Sequence, residues 1–230
     1  MIRVVIGLFM MHLVWVSHAS PTNFSQAKKI AGEVFAQHPL TIYCHCAFQG
    51  KNIDLASCGM DEAQNKKRAH RVEWEHIVAA EHFGQQLECW RKPLCSKNGK
   101  PYKGRACCKK IEPRFNEMEA ELYNLWPETG LINQARSNYR FGVVSSDSSH
   151  YGCAIKIDKK NRKVEPSDRA KGIVARASLF MSDKYRLKLS DSQRRLFVAW
   201  HKLYPPTEWE IQWAQVIAER QGYSNPYITP

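Results

Sequence analysis

Arg71-Val-Glu-Trp-Glu-His-Ile-Val-Ala-Ala80 is the stretch on which the reading of this chain turns. Val72 to Val78 is short, mixed and bounded by charge, a pattern that fits a strand or the lip of a site. Within it Glu75 and His76 stand side by side. Hydrolysing a phosphodiester takes an activated water and a cation that absorbs charge on the phosphoryl group. Imidazole suits the first task because it titrates near neutrality. A carboxylate suits the second because hard divalent ions such as Mg²⁺ take oxygen ligands. Neighbouring side chains on a strand point to opposite faces, so one can meet the metal and the other the attacking water. A Glu-His pair alone decides little, since such pairs also arise by chance as a surface carboxylate beside a hydrogen-bonded histidine.

Outward from this stretch the chain is basic on both sides. Lys66, Lys67 and Arg68 precede it, and residues 97–110, including Lys103, follow it. Lys66, Lys67, Arg68 and Lys103 are expected to contact phosphates, which gives affinity without sequence information. The clusters at 156–163 and 194–195 read as solvated faces. No helix is marked out to read bases.

The remaining pattern is read locally. Ser25 is predicted to cap a first helix with Ile30, Val34 and Phe35 on its apolar side. Leu40 to Phe48 is rich in strand formers. Residues 91–110 hold two prolines, two glycines, three cysteines and eight Lys or Arg, and read as a stapled loop. Pro113 opens a helix in which Phe115, Met118, Leu122 and Leu125 recur at helical steps, ended by Trp126-Pro127. Residues 128–152 are rich in Gly, Asn and Ser. The last third is helical: Ser167 starts one helix, and Ser190-Asp-Ser-Gln193 and Thr207-Glu-Trp-Glu210 are capping boxes. Gly222 and Pro226 close the last helix. The aromatics of this third read as core.

Trp74-Glu75-His76-Ile77-Val78 resembles the WEH(I/V)V signature of bacterial endonuclease I, periplasmic or secreted nucleases of the ββα-metal class. Met118 to Leu125 is similar to a helix of that family, and Gly130 to Phe141 to its Gly-x-x-Asn-x-x-Arg-Ser-Asn-Tyr stretch. Asp54 to Gly59, Glu88-Cys-Trp90, Phe180-Met-Ser-Asp, Gln193-x-x-Leu-Phe and Asn225-Pro also agree. The resemblance runs from about residue 24 to the C-terminus. It implies an α+β fold: a ββα-metal nuclease core with additional helices, stabilised by disulfides. The implied activity is sequence-nonspecific, metal-dependent endonucleolytic hydrolysis of DNA and RNA, with Mg²⁺ or another divalent ion as cofactor.

Carried over residue by residue, the resemblance makes His76 the general base, Glu75 and Asn133 the metal ligands, and Arg105 the arginine at the scissile phosphate. An amide oxygen is a credible ligand and keeps the site's charge low beside an anion. A guanidinium matches phosphate oxygens with a planar fork of donors. Without the family, Asn133 reads as a turn residue near Gly130, and Arg105 as one solvated charge. The chain departs from the family in two places. Extra residues lie between Cys89 and Cys107, around the Arg105-Ala-Cys-Cys108 match, and Ala79 stands where proline is usual.

Composition bounds the same picture. The 230 residues are 43% hydrophobic, enough for a real core. Arg3, the apolar run Val4 to Val16 and the small-x-small site Ser17-His18-Ala19 read as a signal peptide over residues 1–19, leaving 20–230 as one domain without a membrane span. Removing Arg3 with that leader takes the net charge from +12 to +11, which favours polyanionic partners. Eight cysteines behind a leader, Cys44, Cys46, Cys58, Cys89, Cys95, Cys107, Cys108 and Cys153, imply disulfides whose pairing the sequence leaves open. The expected protein is a periplasmic or secreted monomer. Two rivals stand beside it: a non-enzymatic cationic protein that binds nucleic acid or anionic lipid, and a zinc protein using Cys44, Cys46, Cys107 and Cys108.

Overall fold

In the computed structural model, which describes residues 20–145 and 149–229, the Glu-His stretch is a strand. The expected leader falls outside the described residues. The chain opens with helix α1 (Phe24–Phe35) and a small hairpin of β1 (Phe48–Gln49) and β2 (Asn52–Ile53). β3 (Val72–His76) follows, then an insertion of α2 (Ala80–Gly84), α3 (Glu88–Arg91), the hairpin β4 (Cys95–Lys97) and β5 (Lys100–Tyr102), α4 (Arg105–Ile111) and α5 (Pro113–Glu119). The insertion returns to β6 (Leu125–Thr129), which pairs antiparallel with β3, Glu75 opposite Trp126 and His76 opposite Leu125. α6 (Gly130–Arg136) leaves β6 at once, with the Thr129 hydroxyl accepting from Ile132 N–H at 3.2 Å. Two strands and this helix form a ββα unit.

β7 (Arg140–Phe141), β8 (Lys156–Asp158) and β9 (Lys163–Glu165) make a three-stranded sheet in the order β7-β9-β8. α7 (Asp168–Tyr185), α8 (Asp191–Leu203) and α9 (Glu208–Gln221) complete the chain. The fold is α+β, with Phe35, Trp126 and Trp213 meeting in an aromatic core between α1, β6 and α9. Trp200, Phe197 and Trp213 are buried, as core rather than as an exposed stacking platform. Among the described residues no helix is long and apolar enough to cross a membrane.

Several local expectations give way to tertiary partners. The helix from Pro113 stops at Glu119; Leu122–Asn124 is a 3₁₀ turn, and Trp126-Pro127 sits inside β6. The buried Glu121 carboxylate explains the break. It accepts from Tyr185 Oη (2.7 Å), Tyr223 Oη (2.9 Å) and Gln221 Nε2 (2.9 Å), which turns the chain out of the helix. Pro127 adds no N–H to the ladder, but its carbonyl accepts from Ile42 N–H at 3.0 Å. Residues 91–110 are no loop. Asn98 and Gly99, at φ 51° and 74°, make the tight turn of the β4–β5 hairpin, a signal the dipeptide carries in sequence.

Of the expected strand Leu40 to Phe48 only Phe48 lies in one, as the start of β1; Leu40 to Ala47 is a tight turn with one isolated bridge, closed by Thr41 Oγ1 accepting from Cys46 N–H at 2.9 Å. Asn23, not Ser25, caps α1, its Oδ1 taking the N–H groups of Ser25 and Gln26. The Ser190 and Thr207 hydroxyls do cap their helices. The reciprocal halves of both boxes are diverted: Gln193 donates to Phe141 O, and Glu210 pairs with Arg176. Ser167 begins α7 but donates its hydroxyl to Tyr43 O.

All eight cysteines pair: Cys44–Cys153, Cys46–Cys58, Cys89–Cys108 and Cys95–Cys107. The zinc reading fails on this, because a thiolate in a disulfide is no longer a ligand.

Candidate active site

β3 and α6 bring Glu73, Glu75, His76, Asn133 and Arg136 to one open cleft of ≈ 620 Å³, which Arg105 of α4, Arg68 and Phe24 also line. Glu75 and His76 face the same cleft. They do so at the end of β3 with separate partners, Glu75 meeting Tyr43 and Arg136, and His76 meeting Phe24 and Glu119.

His76 is buried, and its Nε2 lies 2.8 Å from Glu119 O. A carbonyl only accepts, so Nε2 carries the proton and Nδ1 keeps a lone pair, the tautomer a general base requires. The Phe24 ring packs 4.8 Å away. Burial pushes the imidazole down to about 4, reinforced by the Arg105 and Arg136 charges and opposed by the Glu119 carbonyl.

Glu75 is buried, and its Oε1 accepts from Tyr43 Oη at 2.8 Å and lies 3.0 Å from Arg136 Nη1. Burial raises its carboxyl; Arg136 and the Tyr43 hydroxyl work against that rise. Arg136 is buried too, and donates to the carbonyls of His76 (3.0 Å) and Ile77. Its guanidinium sits 4.7 Å over the Phe141 ring. One side chain therefore fixes the carboxylate of Glu75 and the backbone of His76. Sequence reasoning assigned Arg136 no role, although its spacing of three from Asn133 places both on one face of α6.

Asn133 donates from Nδ2 to Glu73 Oε2 at 3.3 Å, which leaves Oδ1 as its free acceptor. Glu73 is gripped by Arg68 at 2.7 and 2.8 Å and by Arg71 at 2.7 Å. Burial opposes ionisation of Glu73, but the two guanidiniums hold its carboxyl below the usual range. The contact is close: a Cβ on Gly130 would come 2.7 Å from Glu73 Oε1 and 2.8 Å from Arg68 O. Arg68 thus reaches the cleft with its fork already engaged. Lys66, Lys67 and Lys103 are exposed and do not line the cleft.

Arg105 begins α4 and donates from Nε to Glu119 Oε1 at 2.6 Å, with its side chain 45% exposed and Glu119 fully buried. Lys109 Nζ stands 3.4 Å from the other Glu119 oxygen. Glu119 holds the arginine with its side chain and His76 with its backbone.

Beside the cleft, His82 bonds Nε2 to Asn138 O at 2.8 Å, and burial, then the Arg136 charge, lowers it from 6.5 to about 4. The unfolded chain binds this proton near pH 6.5 while the native state refuses it until about pH 4, so stability falls as pH drops through that window. One such group contributes up to ~1.4 kcal/mol per pH unit. The melting temperature should decline from pH 6.5 to 4, and less steeply in His82→Gln. Identical slopes in both proteins would show that His82 is not the group responsible.

A family model described as Endonuclease I matches residues 18–230. The chain is 40% identical over 212 residues to an extracellular deoxyribonuclease of Aeromonas hydrophila, covering 90% of this chain and 88% of that one. It is 39% identical over 211 residues to Endonuclease-1 of Buchnera aphidicola subsp. Acyrthosiphon pisum, covering 90% and 80%. A periplasmic deoxyribonuclease of Aeromonas hydrophila is 38% identical over 212 residues, covering 90% and 85%.

Proposed function

The chain belongs to the endonuclease I family, and we propose that it is a periplasmic or secreted nuclease that hydrolyses DNA, and RNA as well, with little regard for sequence. The observation that carries the reading is the meeting of a tautomer-fixed His76 with Glu75, Asn133 and Arg105 in one basic-rimmed cleft.

The donors fit a hard divalent ion. Glu75 offers a carboxylate and Asn133 an amide oxygen turned free by the Nδ2 contact to Glu73. Among the described residues no cluster of three or more His, Cys, Asp or Glu forms a cage. That suits Mg²⁺, which keeps several waters and shares its shell with substrate phosphates. Once bound, the ion stabilises charge on the phosphoryl oxygens as a Lewis acid.

The chain's own groups do the rest. His76 Nδ1 takes a proton from water as the water oxygen bonds to phosphorus and the P–O ester bond breaks; the leaving oxygen regains a proton from solvent. Glu119 O keeps His76 in that tautomer. Arg105 offers its remaining donors to the phosphate oxygens, steadied by the buried Glu119 carboxylate. Arg136 prevents Glu75 and His76 from shifting relative to each other.

Plasmid cleavage in Mg²⁺, with and without EDTA, tests the reading against a protein that merely binds nucleic acid. Cleavage should stop in EDTA, and Glu75→Ala and Asn133→Ala should each raise the Mg²⁺ concentration needed. Binding without cleavage, or unchanged metal titrations in both variants, would overturn it.

A further inference from the structure

A second groove of ≈ 830 Å³ runs from the active cleft, sharing Lys28, Val72 and Trp74 with it. Its apolar floor holds Trp74 and Phe48, both only partly buried. Lys29 and Lys51 stand exposed along it, no carboxylate lines it, and neither lysine is ion-paired among the described residues. The wall above Trp74 is bare. Gly32 occupies an exposed position of α1, where a Cβ would lie 3.9 Å from the indole Cζ2, an ordinary contact. Sterics do not require glycine there, and in a helix interior glycine costs about 0.5–1 kcal/mol relative to alanine. What the missing side chain does is leave the ring edge and the groove open.

Resting on the nuclease reading above, we propose that this groove is a strand-binding subsite. It takes a single strand of nucleic acid leaving the cleft, with a base against Trp74 and Phe48 and its phosphates along Lys29 and Lys51. Continuity with the cleft selects a flanking part of the same substrate, and unpaired lysines lining the same groove as aromatic rings match an unpaired strand. Base–aromatic stacking needs no sequence match, because every base has a π-face. The subsite would therefore add affinity without adding specificity.

Gly32→Leu tests this without replacing any residue that lines the active cleft, since it covers the groove side of Trp74 while favouring the helix. In EDTA, fluorescence anisotropy of a labelled 12-nucleotide single strand should show Gly32→Leu binding about five- to 150-fold more weakly than wild type, the span measured for loss of one stacked base. Lys29→Gln/Lys51→Gln should lower the log affinity–log salt slope by about 1.4, at about 0.7 per single-strand phosphate contact. Both variants should keep the wild-type melting temperature or exceed it. Wild-type binding of the strand by folded variants, or equal losses on a blunt duplex, would overturn the subsite. Because binding is read without metal, wild-type failure to cut plasmid would overturn the nuclease reading separately.

Discussion

His76→Ala loses two to four orders of magnitude of plasmid cleavage, the usual contribution of a general base, while it still binds DNA in EDTA. The expectation rests on position and tautomer together. The imidazole lies between Phe24 at 4.8 Å and Phe83 at 6.3 Å, and donates its one proton to Glu119 O. Nothing else lining the cleft offers a neutral nitrogen base, since its other side-chain nitrogens belong to cationic Lys and Arg, to amides and to the Trp74 indole, which only donates. Truncation empties a buried site, so the variant's urea midpoint must be compared with wild type and activity read well below it. Near-normal cleavage by the folded variant would remove His76 from the mechanism.

Reduction of the disulfides removes most of the stability of the fold and abolishes activity. Cys89–Cys108 and Cys95–Cys107 close segments of 19 and 12 residues inside the insertion that carries Arg105 and the Glu119 carbonyl. Cys44–Cys153 spans 109 residues and anchors the turn that presents Tyr43 to Glu75. A native disulfide in a secreted domain contributes ~2–5 kcal/mol. Loss of all four is on the scale of the whole stability of an ordinary domain, about 5–15 kcal/mol. Protein reduced with dithiothreitol, or made in a reducing compartment, should unfold at markedly lower urea and cut no plasmid. An active protein with eight free thiols by mass spectrometry and an unshifted urea midpoint would refute this.

Read alone, the sequence determined what depends on neighbours along the chain. The caps at Ser190 and Thr207 and the apolar faces of α7 to α9 follow from local spacing and side-chain chemistry, whereas Val72 to Val78 read as a strand or the lip of a site until pairing with β6 made Val72–His76 a strand. The Glu75-His76 pair, Asn133 and Arg105 were legible through the motifs around them, and the structure sets all four in one cleft. Tertiary structure decided what depends on groups far apart. Leu122 to Trp126 keep helical spacing, yet bonds from Tyr185 and Tyr223 to Glu121 and pairing with β3 break the helix into a turn and a strand. Cysteine pairing follows from which Cβ atoms the fold brings together, which no spacing encodes. Arg68, expected to meet phosphate, is claimed by Glu73, and Gly130 leaves room for that pair, since a Cβ there would come 2.7 Å from Glu73 Oε1. The tautomer of His76 is set by a carbonyl 43 residues away and the position of Glu75 by a hydroxyl 32 residues away. Burial makes those distant partners obligatory, because a buried polar group left without one costs more than a local propensity can return.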